Sequence, residues 1–218
     1  NFPGAREILL VNDSVFGPLH DLAPLFDRAD RIDADIVGLI DSHEIRYHYQ
    51  SFWLLFREGA LRSEAFRRFW RRMPYAKDKQ TVINRFETGL VEAFHEMGLS
   101  CDALFRSRDL ARRAVGFLET KQRRLLVDLG RDCFESYSKL LTKRHNEELM
   151  RMCLQGLPLN PTAFLWEPLI ADCGFPFLKR EVLVNNPGNG PTLAYLEDVV
   201  AKTGYPIDLI DGYLRGCR

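Results

Sequence analysis

Apolar residues recur along this chain in two rhythms. Short unbroken runs bounded by small polar residues read as buried strands, Ile8–Val11 and Asp35–Ile40, with the aromatic-rich Gln50–Phe56 as a third strand. The first run stops at Asn12-Asp13-Ser14, and the second at Asp41-Ser42, so a polar tip follows each strand. In open α/β sheets the crevice beyond the carboxyl ends of the strands is where ligands bind. A plainer reading of the first tip is an Asx turn with Asp13 as a cap. Gly17-Pro18 then breaks the chain, with Pro18 expected as a first helical residue.

Elsewhere the spacing is helical. His20–Arg31 predicts a short helix with Leu22, Leu25 and Phe26 inward. Ser63 is placed to cap a helix carrying Phe66, Phe69, Trp70 and Met73 on one side and Arg67, Arg68, Arg71 and Arg72 on the other. That basic side is either a solvated face or a patch for anions or a membrane surface. Asp78–Met97 predicts one helix, with Val82, Ile83, Phe86, Leu90, Ala93, Phe94 and Met97 in a stripe and Gly98 ending it. Glu87 falls on the margin of the stripe. A carboxylate there must be paired or used, and partial burial would push it toward general-base range. Residues 107–154 are charged and helical in spacing, with His145 as a surface residue.

Prolines punctuate the last third. Asn160-Pro161-Thr162 starts a helix, Pro168 restarts it, and Gly174-Phe-Pro176 and Gly204-Tyr-Pro206 are matching stop-and-start signals. Lys179-Arg180 would lie in the first turn after Pro176, where cations oppose the helix dipole and call for an anionic partner. Glu181 or a phosphate would serve.

Composition narrows the function classes. The 218 residues carry a formal net charge of zero, and the basic groups have no matching stacking platform, which disfavours nucleic acid. The five cysteines are scattered without metal spacing, pointing to a reducing, cytosolic setting. No apolar run approaches the roughly 18 residues of a membrane span. No G-x-S-x-G elbow marks a hydrolase. The chain starts at Asn1, and about seven residues precede its first strand, so a fragment of a longer polypeptide is expected.

Four blocks in order bear a more specific likeness. Val-Asn-Asp-Ser-Val-Phe-Gly-Pro-Leu, His-Tyr-Gln-Ser-Phe-Trp-Leu-Leu-Phe with Phe-Arg-Arg-Phe-Trp, Phe-Glu-Thr-Gly-Leu, and Gly-Phe-Pro-Phe-Leu-Lys-Arg-Glu resemble the rhamnan synthesis protein F family. The blocks run from Ile8 to about Leu214. The resemblance implies a glycosyltransferase of bacterial surface polysaccharide assembly, using a nucleotide-sugar donor such as a rhamnose donor. It implies a helix-rich, GT-A-like α/β domain with a small sheet, its upstream nucleotide-binding half lying outside this stretch. On this reading residues 1–104 form the α/β transferase-like region, and residues 105–218 form a helical region completing the same domain. The acceptor is a polysaccharide or lipid-linked saccharide, and the place is the cytoplasm, at the inner face of the membrane with peripheral contact to it.

In GT-A-like folds an acidic motif at a strand end holds a divalent metal, Mg or Mn, and the donor diphosphate. Asn12-Asp13-Ser14 stands in that place with one carboxylate rather than two, so Asp13 is the metal candidate. The leaving diphosphate must be neutralised, which suits Asp13 with Lys179 and Arg180. The acceptor hydroxyl must lose its proton, which leaves Asp41, His48 and Glu87 as candidate bases. Gln50 and Ser51 are placed to bond sugar hydroxyls. Phe52 and Trp53 alternate in direction, so one of them is expected to face a sugar ring. Plainer roles are a turn cap for Asp41, a strand-edge position for His48 and a solvated pair for Lys179-Arg180. The competing reading is a non-catalytic carbohydrate-binding or assembly module of a polysaccharide synthesis complex, built on the same aromatic strand and arginine helix.

Overall fold

The computed structural model describes residues 4–73, 79–83, 87–110, 160–185, 196 and 199–216. Its centre is one sheet made of β1 (Glu7–Val11), β3 (Ile36–Ser42), β4 (His48–Tyr49), β5 (Trp53–Arg57) and β6 (Cys101–Phe105). The order runs β1-β5-β3-β4, with β6 on the other side of β3. β5 is antiparallel to both β1 and β3, whereas β6 is parallel to β3. Therefore β1, β3 and β6 all point the same way, and their carboxyl ends share one edge. β2 (Val15–Phe16) pairs separately with β7 (Leu178–Lys179).

Two-residue alternation sorts the sheet's side chains onto two faces. Trp53 and Leu55 of β5 join Val37 and Leu39 in a cluster with Leu25 and Ala29 of α1 (Ala23–Asp30) and Leu169 of α7 (Trp166–Cys173). Leu54 and Phe56 face the opposite way, with Ile36, Leu90 and Phe94. There the helices α2 (Glu58–Arg62), α3 (Glu64–Arg71) and α5 (Leu90–Glu96) close the core. Coverage on both faces explains why β3 and β5 read as continuous apolar runs. The expectation of burial for Ile8–Val11 needs correction: β1 is an outer strand of the sheet, with Leu9 36% and Val11 62% exposed. A third cluster joins Phe16 and Leu178 of the small sheet to Ile170, Val182 of α8 (Arg180–Val184) and Ile210 of α9 (Ile207–Gly216).

Several expectations are met in detail. Ser63 Oγ accepts from Phe66 N at 3.0 Å, and α3 stacks Phe66, Phe69 and Trp70 on Phe56 and Phe94. Gly98, Gly174 and Gly204 take positive φ at helix ends. Asn160 caps α6 (Pro161–Phe164), its Oδ1 accepting from Thr162 N.

Other expectations need correction. Asp78–Met97 is not one continuous α-helix. It holds α4 (Lys79–Val82) and α5, and between them Thr88 N reaches back five residues to Ile83 O at 2.9 Å, a wider turn that carries Glu87. Pro18 is not helical; a cis Gly17-Pro18 bond precedes a non-helical lead into α1, which begins at Ala23. Pro176 leads into β7 rather than opening a helix, because Leu178 and Lys179 pair with β2. The turn at 12–14 is organised by Asn12, whose Oδ1 accepts from the Ser14 amide at 3.0 Å and the Ser14 hydroxyl at 2.5 Å; Asp13 caps nothing. Residues 107–110 are helical, and the rest of the helical expectation through residue 154, with His145, lies outside the described residues.

Candidate functional site at the carboxyl edge of the sheet

The strand after His48 is interrupted at the sheet edge. Asp41 pairs with Tyr49 and Ser42 with His48, but Gly38 pairs with Leu54. Leu39 and Ile40 therefore stand opposite four residues, Gln50 to Trp53, and the strand bulges. Gln50 N still reaches Ile40 O at 3.0 Å, while Ser51 N turns outward to Glu87 Oε1 at 3.4 Å. Phe52 O takes the Asn12 amide at 3.3 Å. The bulge thus links Glu87, Ser51 and Asn12.

The bulge also breaks alternation. Phe52 and Trp53 are 3% and 1% exposed and lie in the same cluster, so neither presents a ring face at the edge.

Buried polar groups concentrate here. Asp41, Ser42, His48, Gln50, Thr88, Asn160, Thr162 and Glu167 are the buried polar or charged side chains among the described residues. All but Glu167 are tied to this edge by strand position or hydrogen bonds. Arg46 donates from Nε to Thr88 Oγ1 at 3.2 Å and from Nη1 to Glu92 at 2.6 Å, while its carbonyl accepts from His48 Nδ1 at 2.7 Å. That bond places the His48 proton on Nδ1 and leaves Nε2 as the basic nitrogen. Glu44 accepts from the Asn160 amide at 2.9 Å, and Ser42 Oγ accepts from Glu44 N at 3.2 Å. Buried polar groups require partners, and their concentration at one edge marks a built region rather than chance.

Asp41 is 5% exposed, and its Oδ1 accepts from the backbone amide of Ser107, beyond the end of β6. Burial holds its carboxyl above the ordinary carboxylate value, and the Ser107 bonds and nearby His43 only partly offset this. Tyr47 is raised by burial and by Asp41, and Tyr49 by burial and by Tyr47.

A second feature meets the first through Asn12. The β2–β7 pair sets Lys179 opposite Val15, and Arg180 N donates to Ser14 O at 3.0 Å. Arg180 Nη1 lies 3.6 Å from Asp13 Oδ2, and the guanidinium stands over the rings of Tyr213 at 4.8 Å and Phe16 at 5.7 Å. The anionic partner of Arg180 is thus Asp13. The Asp13 side chain is 94% exposed, so this pair faces solvent on one side.

The structure brings Asn12, Asp13, Ser14, Ser51, Glu87, Lys179 and Arg180 into one chain of contacts, with Gln50, His48 and Asp41 buried beside it. Sequence reasoning passed over Arg46, Thr88, Tyr47 and Ser107. Arg46 and Tyr47 sit in a polar stretch without periodicity, and Ser107 follows β6, whose short Cys-Asp-Ala-Leu-Phe run was not read as a strand. Among the described residues no group of three or more His, Cys, Asp or Glu converges as a metal cluster. None of the described helices is long and apolar enough to cross a membrane.

Such an arrangement defines an α/β domain whose parallel strands end in a polar, ion-paired edge. The chain belongs to the rhamnan synthesis protein F family, whose model matches residues 5–128. It is similar to "Virulence protein VirA" of Vibrio anguillarum, 29% identical over 203 residues, covering 91% of this chain and 59% of that protein. It is also similar to "Uncharacterized protein y4gN" of Sinorhizobium fredii, 28% identical over 127 residues, covering 56% of this chain and 33% of that protein. The chain therefore spans less than two thirds of the length of these relatives. No solved structure matches it.

Proposed function

We propose that this chain forms the reaction edge of a glycosyltransferase that moves a sugar, rhamnose-like, from a nucleotide-sugar donor to a growing polysaccharide or lipid-linked saccharide. The observation that carries the reading is the Asp13–Arg180 pair at 3.6 Å, set beside the Glu87–Ser51 contact by the Asn12–Phe52 bond. The shared carboxyl edge of β1, β3 and β6 supports a GT-A-like arrangement.

In the transfer, the bond from the sugar's anomeric carbon to the diphosphate oxygen breaks and its electron pair leaves with the diphosphate. A new bond forms to the acceptor oxygen, whose proton passes to a base. Arg180, held over two aromatic rings, offers its guanidinium to the developing phosphate charge. Asp13 keeps that group aimed at the solvent-facing side. Glu87 is half-buried, one oxygen fixed by the Ser51 amide, and serves as the base. Asp41 and His48 are buried in backbone bonds and act as positioning residues.

A divalent cation, Mg²⁺ or Mn²⁺, fits here through a single protein carboxylate. Mg²⁺ accepts one or two protein carboxylates and completes its shell with phosphates and water, so Asp13 would be its protein ligand. It would supply further positive charge to the diphosphate. The binding-module reading loses the aromatic strand it was built on, because Phe52 and Trp53 are buried.

The test is calorimetric titration with dTDP, GDP and UDP, each with manganese and with chelator. One nucleotide is expected to bind saturably, and Asp13→Ala and Arg180→Ala each to weaken it about 10- to 100-fold, the scale of a lost hydrogen bond to a charged group. Binding unchanged in both variants, or absent for all three nucleotides, would sink a donor site at this edge.

A further inference from the structure

Away from the reaction edge, β1 is the outer strand of the sheet, and a groove of about 850 Å³ opens between it and α3. Its floor is apolar: Ile8 and Leu10 from β1, Leu61, and the rings of Phe66 and Trp70. The volume lies within the range of small-molecule sites. Its rim is cationic, with Arg62, Arg67 and Arg71 in the lining. From Glu58 to Arg72 the chain carries five arginines against two glutamates, although the whole molecule is neutral.

The rim is available. The Arg62, Arg67 and Arg71 side chains are 79%, 57% and 71% exposed; their ion pairs are local, to Glu58 and Glu64, and Arg67 also donates to the Arg62 and Ser63 carbonyls. Exposed pairs of this kind hold weakly, so an incoming anion competes for the guanidinium groups at little cost. The indole N–H of Trp70 is buried within the protein, so the ring presents only carbon to the groove.

These features select the occupant. The floor is hydrocarbon and aromatic ring, with Trp70 packed edge-to-face with Phe56, Phe66 and Phe69. An acidic protein segment would satisfy the rim but not an apolar floor. A molecule with a hydrocarbon chain and an anionic, oxygen-rich head satisfies both. We propose that this groove docks the protein on a membrane surface containing anionic phospholipid. An acyl chain lies against Ile8, Leu10 and Trp70, and the phosphate meets the arginine rim. This goes beyond the transfer reaction and requires no nucleotide.

The experiment is flotation of the 218-residue chain with vesicles of phosphatidylcholine alone, and of phosphatidylcholine mixed with phosphatidylglycerol. A parallel set carries brominated acyl chains, which quench a nearby indole. Trp53 and Trp166 are 1% and 6% exposed, so quenching reports Trp70, and Trp70→Phe should abolish it. The expected result is flotation with the anionic vesicles only, with Trp70 quenched. Arg67→Gln and Arg71→Gln should each weaken partitioning by about fivefold, the weight of one basic residue at an anionic surface. Both changes are at exposed positions, and unchanged melting curves will show that the fold persists. Flotation without Trp70 quenching would reduce the patch to surface charge and overturn the groove. Flotation equal on neutral and anionic vesicles, or none on either, would overturn the proposal outright.

Discussion

At the scale of single residues, Asp41 shows how a buried carboxyl can be structural and costly at once. Its raised pKa comes first from burial, with the Ser107 amide working against it. The folded chain therefore holds this proton more tightly than the unfolded chain does. Stability is fullest below the ordinary value of 3.8, falls as pH climbs from there through the raised folded value, and is flat above it. Asp41→Asn removes the charge and retains an oxygen for Ser107 N–H. It is expected to melt higher than the parent at neutral pH and to lose part of the decline just above 3.8. Asp41→Ala strands the Ser107 amide and is expected to cost about 1–3 kcal/mol. Thermal melts of the three proteins across pH check both statements, and an Asn variant less stable than the parent at neutral pH would refute the desolvation account. The charge of Asp41, unlike its oxygen, is then something the fold tolerates rather than needs.

At the scale of elements, what the sequence disclosed depended on length and period. Asp35–Ile40 was legible because a strand covered on both faces must be apolar throughout. Ile8–Val11 was legible as a strand but not in its burial, since its apolar run lies on an outer strand that leaves Leu9 and Val11 exposed. The α3 cap and stripe were legible because Ser63 and the Phe66–Trp70 spacing obey local rules. The two-residue strands β2, β4 and β7 were not, since their pairing is set by partners far along the chain. The bulge was invisible for the same reason, and with it went the forecast for Phe52 and Trp53. The edge itself was half legible: Asp13, Asp41, Glu87 and Arg180 were singled out, but their mutual placement depends on strand order. Gly38 offers a test of that placement. A Cβ added there would stand 2.5 Å from Tyr49 Cγ and 2.7 Å from its Cβ, inside contact distance. Gly38→Ala must therefore displace Tyr49, which sits on β4 opposite Asp41. A loss of about 1–3 kcal/mol is expected from overpacking, together with a shift of the Tyr49 ring signals in NMR spectra. An alanine accepted without either change would mean that β4 does not lie over β3 in this register.

At the scale of the whole molecule, the edge depends on two distant parts of the chain being clasped together. The clasp is the β2–β7 pair, reinforced by Leu19 N to Pro176 O at 2.8 Å and by the cluster of Phe16, Leu178 and Ile210. Leu178 is fully buried, so Leu178→Ala should cost about 2–5 kcal/mol, as other large-to-small core changes do. Because Leu178 holds the strand that delivers Arg180 to Asp13, the same variant should weaken nucleotide binding, although Leu178 itself belongs to an apolar cluster. Asp13→Asn makes the opposite separation. Its side chain is 94% exposed, so its melting temperature should stay close to the parent's while nucleotide affinity falls. Melting and titration of the two variants side by side give the answer. If Leu178→Ala loses stability but binds nucleotide as the parent does, the clasp supports the fold without shaping the edge, and Arg180 is not what the donor meets. If both variants lose affinity and only Leu178→Ala loses stability, the pairing of the first strand's tip with the last third of the chain is what assembles the donor side of the reaction edge.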